Sequence, residues 1–183
     1  ISSSNCFLLI IQLSIFASYK VNLFRQMTIT LILVGKTDNK HLDALIQDYN
    51  KRLSFFVKFE INTIPDLKKR KHIDVEIQKE KEGELILSRI SNSDFVVLLD
   101  ETGKEYSSTN FASWLQKRMN SGIKNLVFVI GGPYGFSPKV YARSQHNLSL
   151  SKMTFSHQMI RLFFTEQLYR GFTILKNLPY HHN

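Results

Sequence analysis

Val127-Phe128-Val129-Ile130-Gly131-Gly132-Pro133-Tyr134-Gly135, followed by Phe136-Ser137-Pro138, is the stretch from which the rest of this chain is best read. Four consecutive apolar residues, three of them β-branched, have the pattern of a buried strand. The glycines that follow allow positive φ and let another group approach the main chain with no Cβ in the way. Ser137 is a good helix N-cap and Pro138 a good first helical residue, so the turn leads into a helix. By itself this describes an ordinary strand-to-helix turn. Its counterpart downstream is Ser149-Leu150-Ser151-Lys152-Met153-Thr154-Phe155, which alternates small hydroxyls with apolar residues and ends where Ser156 begins a further helix, with His157 in its first turn. Two such loops at strand ends could clasp one flat ligand.

Outward from this stretch the chain alternates strands and helices. Thr28 to Val34 is a buried strand, and Leu42, Leu45, Ile46, Tyr49, Leu53 and Phe56 recur at helical spacing behind a cap at Asp38 or Asn39. Phe59 to Ile64 is the second strand. Lys68-Lys69-Arg70-Lys71 then falls in a turn-like connection, read as a solvated loop and at most a peripheral phosphate contact. Asp74 to Ile90 is a charged helix in which Gly83 costs about 1 kcal/mol relative to alanine, a sign of close packing. Asp94 to Asp100 is the third strand, with Asp100-Glu101-Thr102-Gly103-Lys104 as its turn. Ser107 or Ser108 caps a helix with Phe111, Trp114, Leu115 and Met119 on its core face, closed by Gly122. Asn125 to Ile130 is the fourth strand, Asn147 to Ser151 a short fifth, and Ser156 to Leu175 the last helix. This order predicts an α/β fold: a parallel sheet with helices on both faces and its ligand site beyond the carboxyl ends of the strands.

The 183 residues, 43% hydrophobic, suffice for one domain, and the formal charge of +9 points to a polyanionic partner. The charge is concentrated near the expected site: from Lys139 onward Lys139, Arg143, Lys152, Arg161, Arg170 and Lys176 face Glu166 alone. Cys6 is the single cysteine, which excludes an internal disulfide and a cysteine-based zinc centre and is consistent with a reducing compartment. Residues 1–26 are different in character. Phe7 to Ala17 is too short an apolar run to cross a bilayer, and no basic segment precedes it. We read 1–26 as an upstream leader or non-native segment and 27–183 as the single domain, with Met27 at the border of the first strand.

Some chemistries can be set aside on spacing. A P-loop needs glycine five residues before Gly35, where the chain has Thr30. A dinucleotide fingerprint needs G-x-G-x-x-G, which Gly131 to Gly135 does not supply. A non-enzymatic basic RNA-binding protein remains the alternative that charge alone would support.

The motifs taken together narrow the choice. Gly35-Lys36-Thr37, Lys81-Glu82-Gly83-Glu84, Leu98-Leu99-Asp100-Glu101 with Gly103-Lys104-Glu105, Ile130 to Gly135, Leu148 to Thr154, Glu166-Gln167-Leu168-Tyr169-Arg170 and Pro179-Tyr180-His181-His182 run in order from Met27 to the end of the chain. In this the sequence closely resembles the SPOUT class of RNA methyltransferases and, within it, the ribosomal RNA large-subunit methyltransferase H family. The resemblance implies a C-terminal deep trefoil knot, which element order does not reveal and general topology disfavours. It implies S-adenosylmethionine as cofactor, held by Leu99, Gly131, Gly132, Gly135, Ser151, Lys152, Met153, Thr154, Phe155 and Ser156, with no metal. It implies methylation at N3 of a pseudouridine in large-subunit (23S) ribosomal RNA, free or in the ribosome, by a cytoplasmic homodimer with no membrane association. The groups expected to complete the RNA side of the site are Arg161, Arg170, Tyr180 and His181.

Overall fold

The computed structural model describes residues 27–66 and 74–181. The expected leader at 1–26, the basic run Lys68 to Lys71 and His182 of the tail motif lie outside the described residues. In chain order the elements are β1 (Thr28–Val34), α1 (Lys40–Leu53), β2 (Lys58–Ile64), α2 (Val75–Leu87), β3 (Phe95–Glu105), α3 (Ser108–Asn120), β4 (Asn125–Ile130), α4 (Pro138–Arg143), β5 (His146–Ser149) and α5 (Met159–Leu175). The strands form a five-stranded sheet in the order β2-β1-β4-β3-β5, and each neighbouring pair is parallel.

Alternation along the strands divides the core in two. Leu31, Leu33, Val97, Phe128 and Ile130 face one layer of helices, where they pack with Leu53 of α1, Phe111 and Leu115 of α3, and Phe164, Leu168 and Phe172 of α5. Ile32, Val34, Val96, Leu98, Val127 and Val129 face the other, with Ile86 of α2, Val140 of α4 and Phe136 of the loop that precedes it. Both faces are covered, which is why the strands read as near-continuous apolar runs. Caps fall where side-chain chemistry requires them: Asn39 accepts from the backbone of His41 and Leu42, Asp74 from Glu76, and Ser107 from Asn110. Gly83 is tightly packed as expected, because a Cβ there would overlap Ser137 Oγ and press on Val140 of α4.

Several boundaries differ from the sequence expectation; α2, expected to reach Ile90, ends at Leu87, and three other differences bear on the site. β3 does not end in a turn at Asp100 but continues to Glu105: after a register irregularity between Leu99 and Lys104 it rejoins β5, pairing Lys104 with Leu148 and Glu105 with Ser149. Gly103 makes this possible, since a Cβ there would come within 2.7 Å of the Asn147 and Leu148 backbone. β5 ends at Ser149 rather than Ser151, which leaves a longer loop. The last helix starts at Met159 rather than Ser156, although Ser156 serves its entry by accepting from Met159 N at its Oγ and from Ile160 N at its carbonyl.

Candidate active site

The carboxyl ends of β3, β4 and β5 are brought side by side by the register, with Leu99 paired to Ile130 on one side and to Leu148 on the other. β3 lies between β4 and β5, so the loops leaving these three ends converge as they would at the mouth of an open parallel sheet. The result is a cleft of ≈ 560 Å³, within the range of small-molecule sites.

Its first wall is Gly131 to Phe136. The glycines do different things. Only Gly135 has positive φ, at 80°, and its N–H closes the turn onto the Gly132 carbonyl at 3.2 Å. Gly131 and Gly132 are required instead by crowding: a Cβ on Gly131 would sit 3.0 Å from the Phe136 ring, and one on Gly132 would overlap the Glu82 carboxylate. Of the two roles expected for these glycines, positive φ therefore holds at Gly135 alone, and close approach without a Cβ at Gly131 and Gly132.

The second wall is the loop after β5, folded by its own hydroxyls. Ser149 Oγ donates to the Ser151 carbonyl at 2.9 Å, and Ser151 Oγ accepts from Met153 N at 2.9 Å. The third wall is the irregular segment of β3. Here Asp100 accepts from Thr102 N at 2.7 Å, from Thr102 Oγ1 at 2.6 Å and from the Tyr141 hydroxyl of α4. Burial pushes the Asp100 carboxyl up, but the bonds from Thr102 and Tyr141 outweigh it and hold it below the usual carboxylate range. The same contact, with burial as the larger cause, pushes the Tyr141 hydroxyl well above its ordinary value. Thr154 Oγ1 reaches Glu101 at 3.4 Å, tying the second wall to the third.

Of the residues expected to hold a cofactor, Leu99, Gly131, Gly132, Gly135, Ser151, Met153, Thr154, Phe155 and Ser156 line the cleft, and Lys152 does not. Sequence reasoning missed Asp100, Tyr134 and Tyr141, which also line it. Tyr141 had a signal, lying one turn into a helix that begins at the site's own loop. The groups expected on the RNA side are elsewhere. Arg161 is fully buried, donating from Nη2 to the Val34 carbonyl at 2.7 Å and from Nη1 to Thr37 Oγ1 at 3.0 Å. Arg170 Nε and Nη2 bond Glu166 Oε1 at 3.0 and 2.5 Å, and the Tyr180 hydroxyl donates to the same oxygen at 3.0 Å. Tyr180 also meets Tyr49 Oη of α1 at 3.1 Å, under the Arg170 guanidinium 4.7 Å from its ring centre. Arg161, Arg170, Tyr180 and His181 do not line the cleft of their own chain. His157 does.

A family model described as a predicted SPOUT methyltransferase matches residues 27–181. The chain belongs to the SPOUT methyltransferase family. Among related SPOUT proteins it is 67% identical to ribosomal RNA large subunit methyltransferase H of Christiangramia forsetii over 156 residues, which covers 85% of this chain and 99% of that protein. The protein of the same description from Flavobacterium johnsoniae is 64% identical, and that from Phocaeicola vulgatus 56%, with the same coverage. SPOUT enzymes use S-adenosylmethionine as methyl donor, and the cleft fits such a group. Crowded glycines bring main chain to its surface, Leu99, Ile130 and Leu148 give it an apolar floor, and the Ser151 turn presents backbone groups to its rim. Among the described residues no group of His, Cys, Asp and Glu is arranged to hold a metal ion. No helix among them is long and apolar enough to cross a membrane.

Proposed function

We propose that this protein transfers a methyl group from S-adenosylmethionine to large-subunit ribosomal RNA, at N3 of a pseudouridine in the 23S molecule. The observation that carries the reading is the cleft itself: two loops of glycine and small residues at adjacent strand ends, in a chain of the SPOUT methyltransferase family. The basic charge of the chain supports an RNA partner. The deep trefoil knot of this fold class belongs to the proposal, as do residues 27–183 as one domain and a cytoplasmic location.

The bound cofactor supplies an electrophilic methyl group on a sulfonium. What the protein contributes is the in-line orientation of donor and acceptor, and help in removing the proton so that the acceptor's own lone pair is free to attack. Leu99, Gly131, Gly132, Ser151 and Met153 to Ser156 hold the donor in the cleft. The acceptor nitrogen of a pseudouridine carries a proton at neutral pH, so a nearby base or cation assists its removal. In one chain Arg170 and Tyr180 are bonded to Glu166, outside the cleft. A homodimer resolves this, with the tail of one subunit, Tyr180 and His181, and the Arg170 beside it serving the cleft of the other. Arg161 then supports the site from inside the core rather than touching the base.

The test is to incubate the protein with ribosomes lacking the modification and S-adenosylmethionine labelled in its methyl group, then digest the RNA to nucleosides. Label in N3-methylpseudouridine is expected. Label in another nucleoside, or none with cofactor binding intact, overturns the substrate assignment, and a monomer in sedimentation overturns the shared site.

A further inference from the structure

Behind the glycine loop lies a carboxyl group that the reaction as described does not use. Glu82, on the inner face of α2, is 2% exposed. Its Oε1 accepts from Gln78 Nε2 at 2.7 Å, while Oε2 is buried without a hydrogen-bond partner. That second oxygen lies against Gly132, so close that any side chain there would overlap it, and Gly132 forms part of the cleft wall. A buried carboxyl with an orphaned oxygen is costly and calls for a compensating charge or donor. Among the described residues no cation pairs with Glu82. Its neighbour Glu80 is engaged with Lys139 of α4 at 3.0 Å, and Asp66, beyond β2, is itself acidic. Burial is the main cause that pushes the Glu82 carboxyl above the usual range; the Gln78 bond opposes it and Asp66 adds to it. A positive charge in the cleft, on the other side of Gly132, would act in the reverse direction and stabilise the carboxylate.

Resting on the cofactor reading above, we propose that Glu82 is a specificity-determining residue: its unpartnered carboxylate oxygen, set against Gly132 behind the cleft wall, favours the cationic sulfonium of S-adenosylmethionine over the uncharged thioether of S-adenosylhomocysteine. The two nucleosides share the adenosine and amino-acid groups and differ at sulfur by one methyl and one positive charge. An uncompensated carboxylate in a poorly solvated position distinguishes that charge without touching the ligand. Gly132 is then a spacer, because a larger residue would displace the carboxyl.

Titration calorimetry with each nucleoside, on the wild-type chain and on Glu82→Gln, tests this. Glutamine keeps the shape and can still accept from Gln78. The variant is expected to bind S-adenosylmethionine about tenfold more weakly while holding S-adenosylhomocysteine within about twofold. Equal weakening of both, or no change in their ratio, overturns the proposal and leaves Glu82 a packing residue. Should Glu82→Gln not fold by circular dichroism, Glu82→Asp retains the charge and is expected to retain the wild-type ratio; its loss would also overturn the proposal. Failure of the wild-type chain to bind either nucleoside would instead overturn the cofactor site itself.

Discussion

The cleft at the ends of β3, β4 and β5 and the polar cluster on α5 and the tail are both built from residues that stand out in the sequence, yet one is open to a ligand and the other is already engaged. Around the cleft the main chain does the work: Gly131 and Gly132 are stripped of side chains by crowding, and Ser149 and Ser151 fold their loop with their own hydroxyls. In the cluster the side chains satisfy one another, with Glu166 accepting from both Arg170 and Tyr180. A site made of backbone is preformed by the fold. A site made of long polar side chains depends on which partners they meet, and in a single chain these meet each other.

The strongest way to break this contrast is to remove the tail. Deleting Tyr180 to Asn183 is expected to leave cofactor affinity within about twofold and to lower methyl transfer to ribosomes by about 100-fold or more. Mixing the truncated chain with Gly132→Val subunits is expected to restore transfer in verified heterodimers if tails act across the interface. No recovery there would place the tail's role within its own subunit.

Gly132→Val attacks the cleft. It is expected to lower cofactor affinity by about 100-fold and, because the new side chain meets Glu82, to lower stability by about 1–3 kcal/mol. Adding Glu82→Ala should recover the stability and not the binding, which calorimetry and thermal melting separate. A Gly132→Val chain of unchanged stability would show that the crowding is relieved elsewhere.

Arg161 sharpens the contrast from the tail side, since it was expected at the RNA and is fully buried on Val34 and Thr37. Arg161→Met should lower stability by about 2–3 kcal/mol by leaving the Val34 carbonyl without its donor. Chemical denaturation measures this. Loss of methyl transfer with stability unchanged would return Arg161 to the reacting groups.

Two titrations give smaller effects. Glu82 has a raised carboxyl pKa in the folded chain, so its ionisation opposes folding as pH rises through the unfolded value, about 4.3, toward the folded one. The melting temperature of Glu82→Gln relative to wild type should therefore climb over that interval and level off above it. Asp100 is the opposite case, with a lowered value: its contribution is present above the unfolded pKa and is lost as pH falls through the folded one. Tyr141→Phe removes one of its donors and should move the Asp100 titration, followed by NMR, upward toward the ordinary value. An unmoved titration would mean that Thr102 alone holds it down.

The strands, the order of elements, the two-faced burial and the two small-residue loops of the cleft were legible in the sequence because each follows from local pattern: period-two alternation, capping residues, and glycine or small residues at strand ends, whereas Leu99 came from the family resemblance and Asp100, Tyr134 and Tyr141 had no such pattern. What the sequence did not disclose are matters of contact between distant segments. The continuation of β3 past Asp100 depends on Gly103 lying against β5, and the late start of α5 on the extra loop that a shorter β5 leaves. Of the two reasons the sequence offers for Gly131 and Gly132, close approach of another group applies and positive φ does not, and only the fold identifies the approaching groups as Phe136 and Glu82. Arg161 read as an available cation, and only packing of α5 against the end of β1 put its guanidinium on the Val34 carbonyl. Composition and short-range spacing thus determined that a small-residue cleft would form at the strand ends. Which charges face that cleft, which lie behind it and which are bonded to each other was decided by tertiary structure, because a side chain's electrostatic role is set by the neighbours and burial it acquires on folding.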